Sequence, residues 1–289
     1  NSAHSRYWPS PPEFRIPSLP LLPQPRQIDL QPGAVLLPLD GAIVISEPSL
    51  LFEAQTLQAA FARAGRDYPV MAAASANFTV RLSLDTAAGV PESYRLIIGS
   101  DGITLSGADA AGVWNGVCTL RQIIQQAAPE LPVFTMDDAP DFPQRGVLLD
   151  VGRDKVPTMA TLYALIDRLA SWKINHVELY AEHTFAYPAH PGVWREASPF
   201  TPQEILELDA FCRQRHIELV PNQNSLGHME RWLKHARYAP LAEKPEGFEA
   251  WGAHRPPSSL NPLDPGSLAL IASLYDELLP HFTSALLNV

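Results

Sequence analysis

The chain has 289 residues, 46% of them hydrophobic and 18% charged, enough apolar surface to bury one large core or two ordinary ones. Its formal net charge of −10 and pI near 5.3 argue against nucleic-acid binding and docking on anionic membranes, and fit a neutral or cationic small ligand. No apolar run is long enough for membrane insertion, and Cys118 and Cys212, each among apolar neighbours, read as free buried thiols, with no disulfide framework or zinc site implied.

Residues 1–26 hold Pro9, Pro11, Pro12, Pro17, Pro20, Pro23 and Pro25, which removes backbone donors and favours extended neighbours. They predict an N-terminal arm, with no secretory leader visible; a cytoplasmic protein and one exported after processing both fit, and oligomeric state is open. Residues 27–138 predict a small α+β domain. Short apolar stretches at Ala34–Leu37, Ala42–Ile45, Phe78–Leu84, Tyr94–Ile98 and Ile103–Ser106 read as strands of a mostly antiparallel sheet, with Ser100-Asp101-Gly102 turning between the last two. A helix over Glu47–Ala64 is opened by Pro48. A second, over Ala108–Gln126, places Val113, Val117, Leu120, Ile123 and Ile124 at helical spacing.

From residue 139 to 289 the pattern becomes a repeat of strand, loop and helix. Gly146–Val151 is a nearly continuous apolar run, followed by a helix opened by Pro157 with Leu162, Leu165, Ile166 and Leu169 on one face. His176–Tyr180 and Ile217–Val220 repeat the strand, and Thr201-Pro202-Gln203-Glu204 is a capped helix start between them. A helix over Pro265–Phe282 and a strand over Ala285–Val289 make a fourth unit. The predicted fold class is α/β: a small α+β accessory domain followed by a (β/α)8 TIM-type barrel with its first four strands present. Ending inside an apolar strand leaves an open edge, so either more chain follows or this is an isolated fragment.

Barrel enzymes carry their functional groups at the carboxyl ends of the strands. Those positions hold Asp150 and Arg153 after the first strand, Glu182, His183 and Tyr187 after the second, and Asn222, Gln223, Asn224, His228, Glu230 and Trp232 after the third. Arg153 either clamps sugar hydroxyls or a carboxylate with its planar fork, or forms a structural ion pair with Asp150 or Asp154. His228 is a proton-transfer group, a ligand or hydrogen-bonded scaffolding. Glu182 and Glu230 either face one ligand from neighbouring strand ends or are simply solvated. Trp194 and Trp232 can stack on a sugar face or pack in the interior. A different class of reading takes Glu182, His183, His228 and Glu230 as the oxygen and imidazole set of a metal-dependent barrel isomerase or hydrolase, although their spacing is no compact metal motif. A third is a non-catalytic carbohydrate-binding protein.

The segment Arg145-Gly146-Val147-Leu148-Leu149-Asp150-Val151-Gly152-Arg153 resembles the first barrel strand of the family-20 glycoside hydrolases, the β-N-acetylhexosaminidases. Tyr94-Arg95-Leu96, through Gly102-Ile103 to Gly112-Val113-Trp114-Asn115-Gly116 and Thr119-Leu120-Arg121-Gln122, resembles the end of the small domain that precedes the barrel in that family, and Pro221 with Gly227-His228 resembles the loop after its third strand. The resemblance implies a retaining exo-enzyme, with no cofactor, that removes terminal N-acetylhexosamine from a glycan or glycoconjugate. The substrate's acetamido oxygen attacks the anomeric carbon, an Asp orients the amide, and the adjacent Glu protonates the leaving oxygen. By that pattern Arg153 is the sugar-gripping arginine and His228 the third-strand histidine. Glu182, His183, Asn224, Glu230 and Trp232 complete the substrate-binding set, with no metal site. The catalytic Asp-Glu pair is expected just beyond Val289, so the 289-residue species is expected to be inactive. Better-known members carry Asp where this chain has Asn224 and after the second strand where it has Glu182-His183, which implies a divergent subgroup.

Overall fold

A computed structural model describes residues 19–289 except 74, 75, 86, 88 and 154; the predicted arm up to residue 18, and Asp154, lie outside the described residues. The chain divides into two compact units, the first ending at Pro143 and the second running Gln144–Val289.

In the first unit β1 (Gln27–Leu36), β2 (Ala42–Ile45), α1 (Leu51–Arg63), β3 (Val70–Met71), β4 (Thr79–Leu84), β5 (Tyr94–Gly99), β6 (Gly102–Gly107), α2 (Ala110–Ala127) and β7 (Glu130–Asp138) follow in order. The strands make one sheet, β1-β7-β5-β6-β4-β2-β3. It is mixed, a correction to the mostly antiparallel expectation: β3, β2, β4 and β6 run parallel, while β6, β5, β7 and β1 run antiparallel. The helix α1 is one cause: it carries the chain from β2 back to the same end of the sheet as a crossover, so that β3 runs parallel to β2. The strand β7 was not predicted because Pro132 and its acidic ends hide the buried Leu131, Phe134 and Met136.

The predicted apolar stripe of α2 is the buried one, packed with Leu96, Leu105 and Phe134 of the sheet. Its start is fixed by Asp109, whose side chain accepts from Gly112 N at 2.7 Å, a cap contributing about 1 kcal/mol. Gly112 permits the close approach to the chain before β5, since a Cβ there would lie 2.2 Å from Ser93 O. The end of the proline-rich stretch is no free arm. Leu19 is buried, Gln122 exchanges hydrogen bonds with the Leu22 backbone at 2.7 and 2.9 Å, and Gln126 donates to Pro20 O at 3.0 Å.

In the second unit the order is β8 (Gly146–Asp150), α3 (Met159–Ser171), β9 (His176–Ala181), α4 (Pro191–Trp194), α5 (Pro202–Arg213), β10 (Glu218–Gln223), α6 (Glu230–Leu233), β11 (Phe248–Ala250), β12 (Ala253–Arg255) and α7 (Pro265–Leu278). The strands β8, β9 and β10 form a parallel sheet with β9 in the middle. Thr158 caps α3, burying Leu162, Ile166 and Leu169, and the predicted Thr201–Glu204 capping box opens α5, which packs on β10 and α3. The predicted fourth strand, Ala285–Val289, is not a strand. It meets β10 in a single bridge, Asn222 with Asn288, where Asn288 N donates to Pro221 O at 3.0 Å. Ser284 and Asn288 turn their side chains onto Glu218 and Glu178 at 2.6 and 2.7 Å, so this segment is held by separate contacts instead of a ladder.

Register separates the two faces of the parallel sheet. Leu148, Glu178 and Val220 are level, as are Asp150, Tyr180 and Asn222. Because successive side chains of a strand point to opposite faces, Val177 and Leu179 fall on one side with Leu219 and are buried. His176, Glu178, Tyr180 and Glu182 fall on the other.

Candidate functional site

The carboxyl ends of β8, β9 and β10 bring six polar side chains together. Asp150 accepts from Gly152 N at 3.0 Å and from Arg153 Nε at 2.5 Å. The Arg153 guanidinium lies 5.4 Å from the centre of the Tyr180 ring. Tyr180 donates its hydroxyl to Glu182 Oε1 at 3.1 Å and accepts from Asn224 Nδ2 at 2.6 Å. His228 Nδ1 stands 3.6 Å from the same Glu182 oxygen, with its ring edge-on to Tyr180. The turn after β8 can lie this close because residue 152 is glycine: a Cβ there would come within 2.9 Å of Glu182 N. His228 holds a positive φ of 53°, an unusual conformation for a non-glycine residue.

Burial pushes the Glu182 carboxyl above the usual carboxylate range, opposed by the Tyr180 hydrogen bond and the charges of His228 and Arg153. Burial, followed by the Glu182 charge, pushes Tyr180 up to about 12. At neutral pH Tyr180 is therefore a fixed hydroxyl donor.

A second network runs along the same face of the sheet. Gln144 Nε2 donates to His176 Nδ1 at 2.9 Å, which leaves His176 Nε2–H to donate to Glu178 Oε1 at 2.8 Å. Asn222 and Asn288 donate to Glu178 Oε2 at 2.8 and 2.7 Å. Burial alone would raise the Glu178 carboxyl, but the hydrogen bonds from His176, Asn288 and Asn222 outweigh it and hold the group below the usual range.

Of the predicted site residues, Arg153, Glu182, Asn224 and His228 meet here, and Arg153 also makes the Asp150 ion pair. His183 does not join them. It is buried, its Nδ1 lacks a hydrogen-bond partner among the described residues, and burial with the Arg231 and Lys234 charges pushes it down to about 4. Trp232 offers no face to a sugar, a correction to that expectation. It is fully buried against Tyr187, His190 and Tyr238, and its Nε1 donates to Glu182 O at 2.6 Å, which braces the end of β9. Trp194 is half-buried, and its Nε1 donates to Tyr187 O at 2.8 Å. Glu230 is exposed at the start of α6 and makes no hydrogen bond or ion pair with Glu182 or His228 among the described residues. Gln223 faces inward, bonded to Tyr187 and to Glu182 O. Among the described residues no three His, Cys, Asp or Glu groups are placed to hold a metal ion.

Tyr180, Glu178 and Asn288 escaped the sequence reading. The available signal was the strict alternation of polar and apolar residues in His176-Val177-Glu178-Leu179-Tyr180-Ala181-Glu182, the mark of a strand with one polar face.

Polar groups gathered beyond the carboxyl ends of parallel strands are the usual ligand position of α/β proteins. The chain belongs to glycosyl hydrolase family 20: the model of that family's domain 2 matches residues 18–139, and the model of its catalytic domain matches residues 142–289. A beta-hexosaminidase of Akkermansia muciniphila is 28% identical over 221 residues, covering 68% of this chain and 44% of that protein. The beta-hexosaminidase subunit beta of Rattus norvegicus is 28% identical over 155 residues, covering 50% of this chain and 29% of that protein. The chain thus spans less than half the length of either relative. A GH20 exo beta-N-acetylglucosaminidase from Vibrio harveyi, solved with N-acetylglucosamine, matches with a TM-score of 0.81 over 93% of this chain and 47% of its own, at 19% identity, a likeness of fold.

Proposed function

We propose that this chain belongs to a retaining β-N-acetylhexosaminidase that removes terminal N-acetylhexosamine from glycans or glycoconjugates. In this reading residues 27–138 are the accessory domain, and residues 139–289 open a (β/α)8 barrel and supply the sugar-gripping part of its site. The observation that carries the reading is the convergence of Arg153, Tyr180, Glu182, Asn224 and His228 at three neighbouring strand ends. Asp150 fixes two nitrogens of Arg153 and leaves the outer edge of the fork to donate to sugar hydroxyls. Glu182 accepts from a hydroxyl or from His228, and Tyr180 with Asn224 holds that carboxylate in place.

The acetamido oxygen of the bound sugar attacks the anomeric carbon as the glycosidic C–O bond breaks, and the leaving oxygen takes a proton from a carboxylic acid. Water then opens the cyclic intermediate and releases the sugar with retained configuration. By family pattern that acid and the amide-orienting Asp follow a fourth strand, in the order Asp-Glu.

The test is hydrolysis of p-nitrophenyl N-acetyl-β-D-glucosaminide by the native gene product. Arg153→Ala in that protein is expected to lower kcat/KM by about ten- to a hundredfold, the value of a charged hydrogen bond. An unchanged kcat/KM would remove Arg153 from the site, and absence of turnover on β-N-acetylhexosaminides by the native protein would end the reading.

A further inference from the structure

In a chain of net charge −10, three arginines, Arg63, Arg66 and Arg121, line one cleft of about 460 Å³ within the first unit, and no acidic residue lines it. Its floor is apolar, built from Ala60, Ile124 and Pro129 among others. The fold creates the cluster. Arg63 is the last residue of α1, Arg66 lies just past its end, and Arg121 stands on α2, which packs against α1.

Closing the end of a helix explains part of this. A basic residue in the last turn of a helix suits its dipole, and backbone carbonyls in and around the end of α1 accept from two of the three side chains. Arg66 donates from Nε to Leu37 O at 3.0 Å and from Nη1 to Gly65 O at 3.1 Å, and Arg63 donates from Nε to Ala59 O at 3.0 Å. Those bonds use up one nitrogen of Arg63 and two of Arg66. The terminal nitrogens of Arg63 and the whole guanidinium of Arg121 have no hydrogen-bond or ion-pair partner among the described residues. Arg121 is also half-buried, and three like charges line one cleft with no acidic side chain among its lining residues.

An anion supplies both the missing acceptors and the missing opposite charge. We infer that the cleft binds a sulfate- or phosphate-type oxyanion, gripped by the forked donors of Arg121 and Arg63, with room on the apolar floor for a body the size of one sugar. The oxyanion comes from one of two sources, a free inorganic anion or an anionic substituent on a glycan.

The experiment is isothermal titration of the 289-residue chain at low ionic strength and in about 0.5 M NaCl, using sodium sulfate, inorganic phosphate, N-acetylglucosamine 6-sulfate, and N-acetylglucosamine as the neutral control. Binding of the anions that weakens with salt, and weakens about tenfold or more in Arg121→Ala, is expected, with Arg121→Lys intermediate because it keeps the charge and loses the fork. Arg81→Ala, which removes an exposed arginine of β4, is expected to leave binding unchanged. Equal binding of sulfate and sulfated sugar assigns the site to free anions; tighter binding of the sulfated sugar assigns it to a glycan substituent. Urea denaturation checks that Arg121→Ala remains folded, and Arg63→Ala carries the same test if it does not. No salt-sensitive anion binding, or binding indifferent to both variants, overturns the inference.

Discussion

The two sheets of this protein use the same period for different ends. On β5 of the first unit, Tyr94, Leu96 and Ile98 are buried while Arg95 and Ile97 face outward. The pairing of Arg95 with Asp137, at 3.7 Å and largely exposed, contributes little. On β9 of the second unit, Val177 and Leu179 are buried in the same way, but the alternate residues bond to one another and to β10. A polar stripe is ordinary solvated surface when its members have only water to face. It becomes a site when donors and acceptors on neighbouring strands match.

The strongest way to break the comparison is to attack the first sheet as a core. Phe134 on β7 is fully buried, and Phe134→Ala is expected to cost about 3–5 kcal/mol through lost burial and the cavity left behind, read by urea denaturation. A loss below about 1 kcal/mol would mean that this sheet is not held by its apolar face.

Next in size is the acid response of His183 in the second unit. Its folded value is pushed down to about 4, so below the ordinary value of about 6.5 the unfolded chain takes up the proton more readily. The stability it contributes is present above about pH 6.5 and is lost as pH falls to about 4, on the order of 1–3 kcal/mol. His183→Leu is expected to flatten that slope, measured by denaturation at intervals between these two values. An unaltered slope in the variant assigns the acid response to other groups.

Glu178→Gln comes third. Its carboxylate accepts from His176, Asn222 and Asn288, and the substitution weakens charge-assisted bonds at a cost of about 1–2 kcal/mol at pH 7. Because the folded carboxyl lies below its usual range, its contribution is present above that range and lost as pH falls through the folded value. The variant and the parent are therefore expected to converge in stability in acid. A gap between them that persists in acid would assign the cost to shape and not to charge.

Much of this was legible in the sequence. Helix α2 showed in its spacing because its burial is one-sided, and α5 showed in its capping box because that motif is local chemistry. The positions of Arg153, Glu182, Asn224 and His228 followed from the rule that strand ends carry function. What was lost depended on contacts between distant residues. Trp232 looks like any loop aromatic until Tyr187, His190 and Tyr238, contributed by other segments, close around it. The parallel pairing of β2 with β3 depends on the path of α1, and β3 is only two residues long. Tyr180 and Glu178 were hidden for another reason. The eye counts the apolar residues of His176–Tyr180, and here the polar half of the alternation carries the chemistry.

Glu182→Gln is the smallest expected effect and the sharpest, because it should run opposite to Glu178→Gln on the same face of the same sheet. Burial raises the Glu182 carboxyl, and the Tyr180, His228 and Arg153 interactions only partly offset it. Below the ordinary carboxylate value of about 4.3 both folded and unfolded chains carry the proton, and the variant and the parent should be equally stable there. As pH rises through the folded value the parent must hold a charge the fold disfavours, so its stability drops relative to the variant, which keeps an oxygen to accept from Tyr180. The variant's melting temperature is expected to exceed the parent's slightly at pH 7 and to match it in acid. If Glu182→Gln instead destabilises at pH 7, the charges of Arg153 and His228 outweigh burial, and both networks on this face are held by charge in the same way.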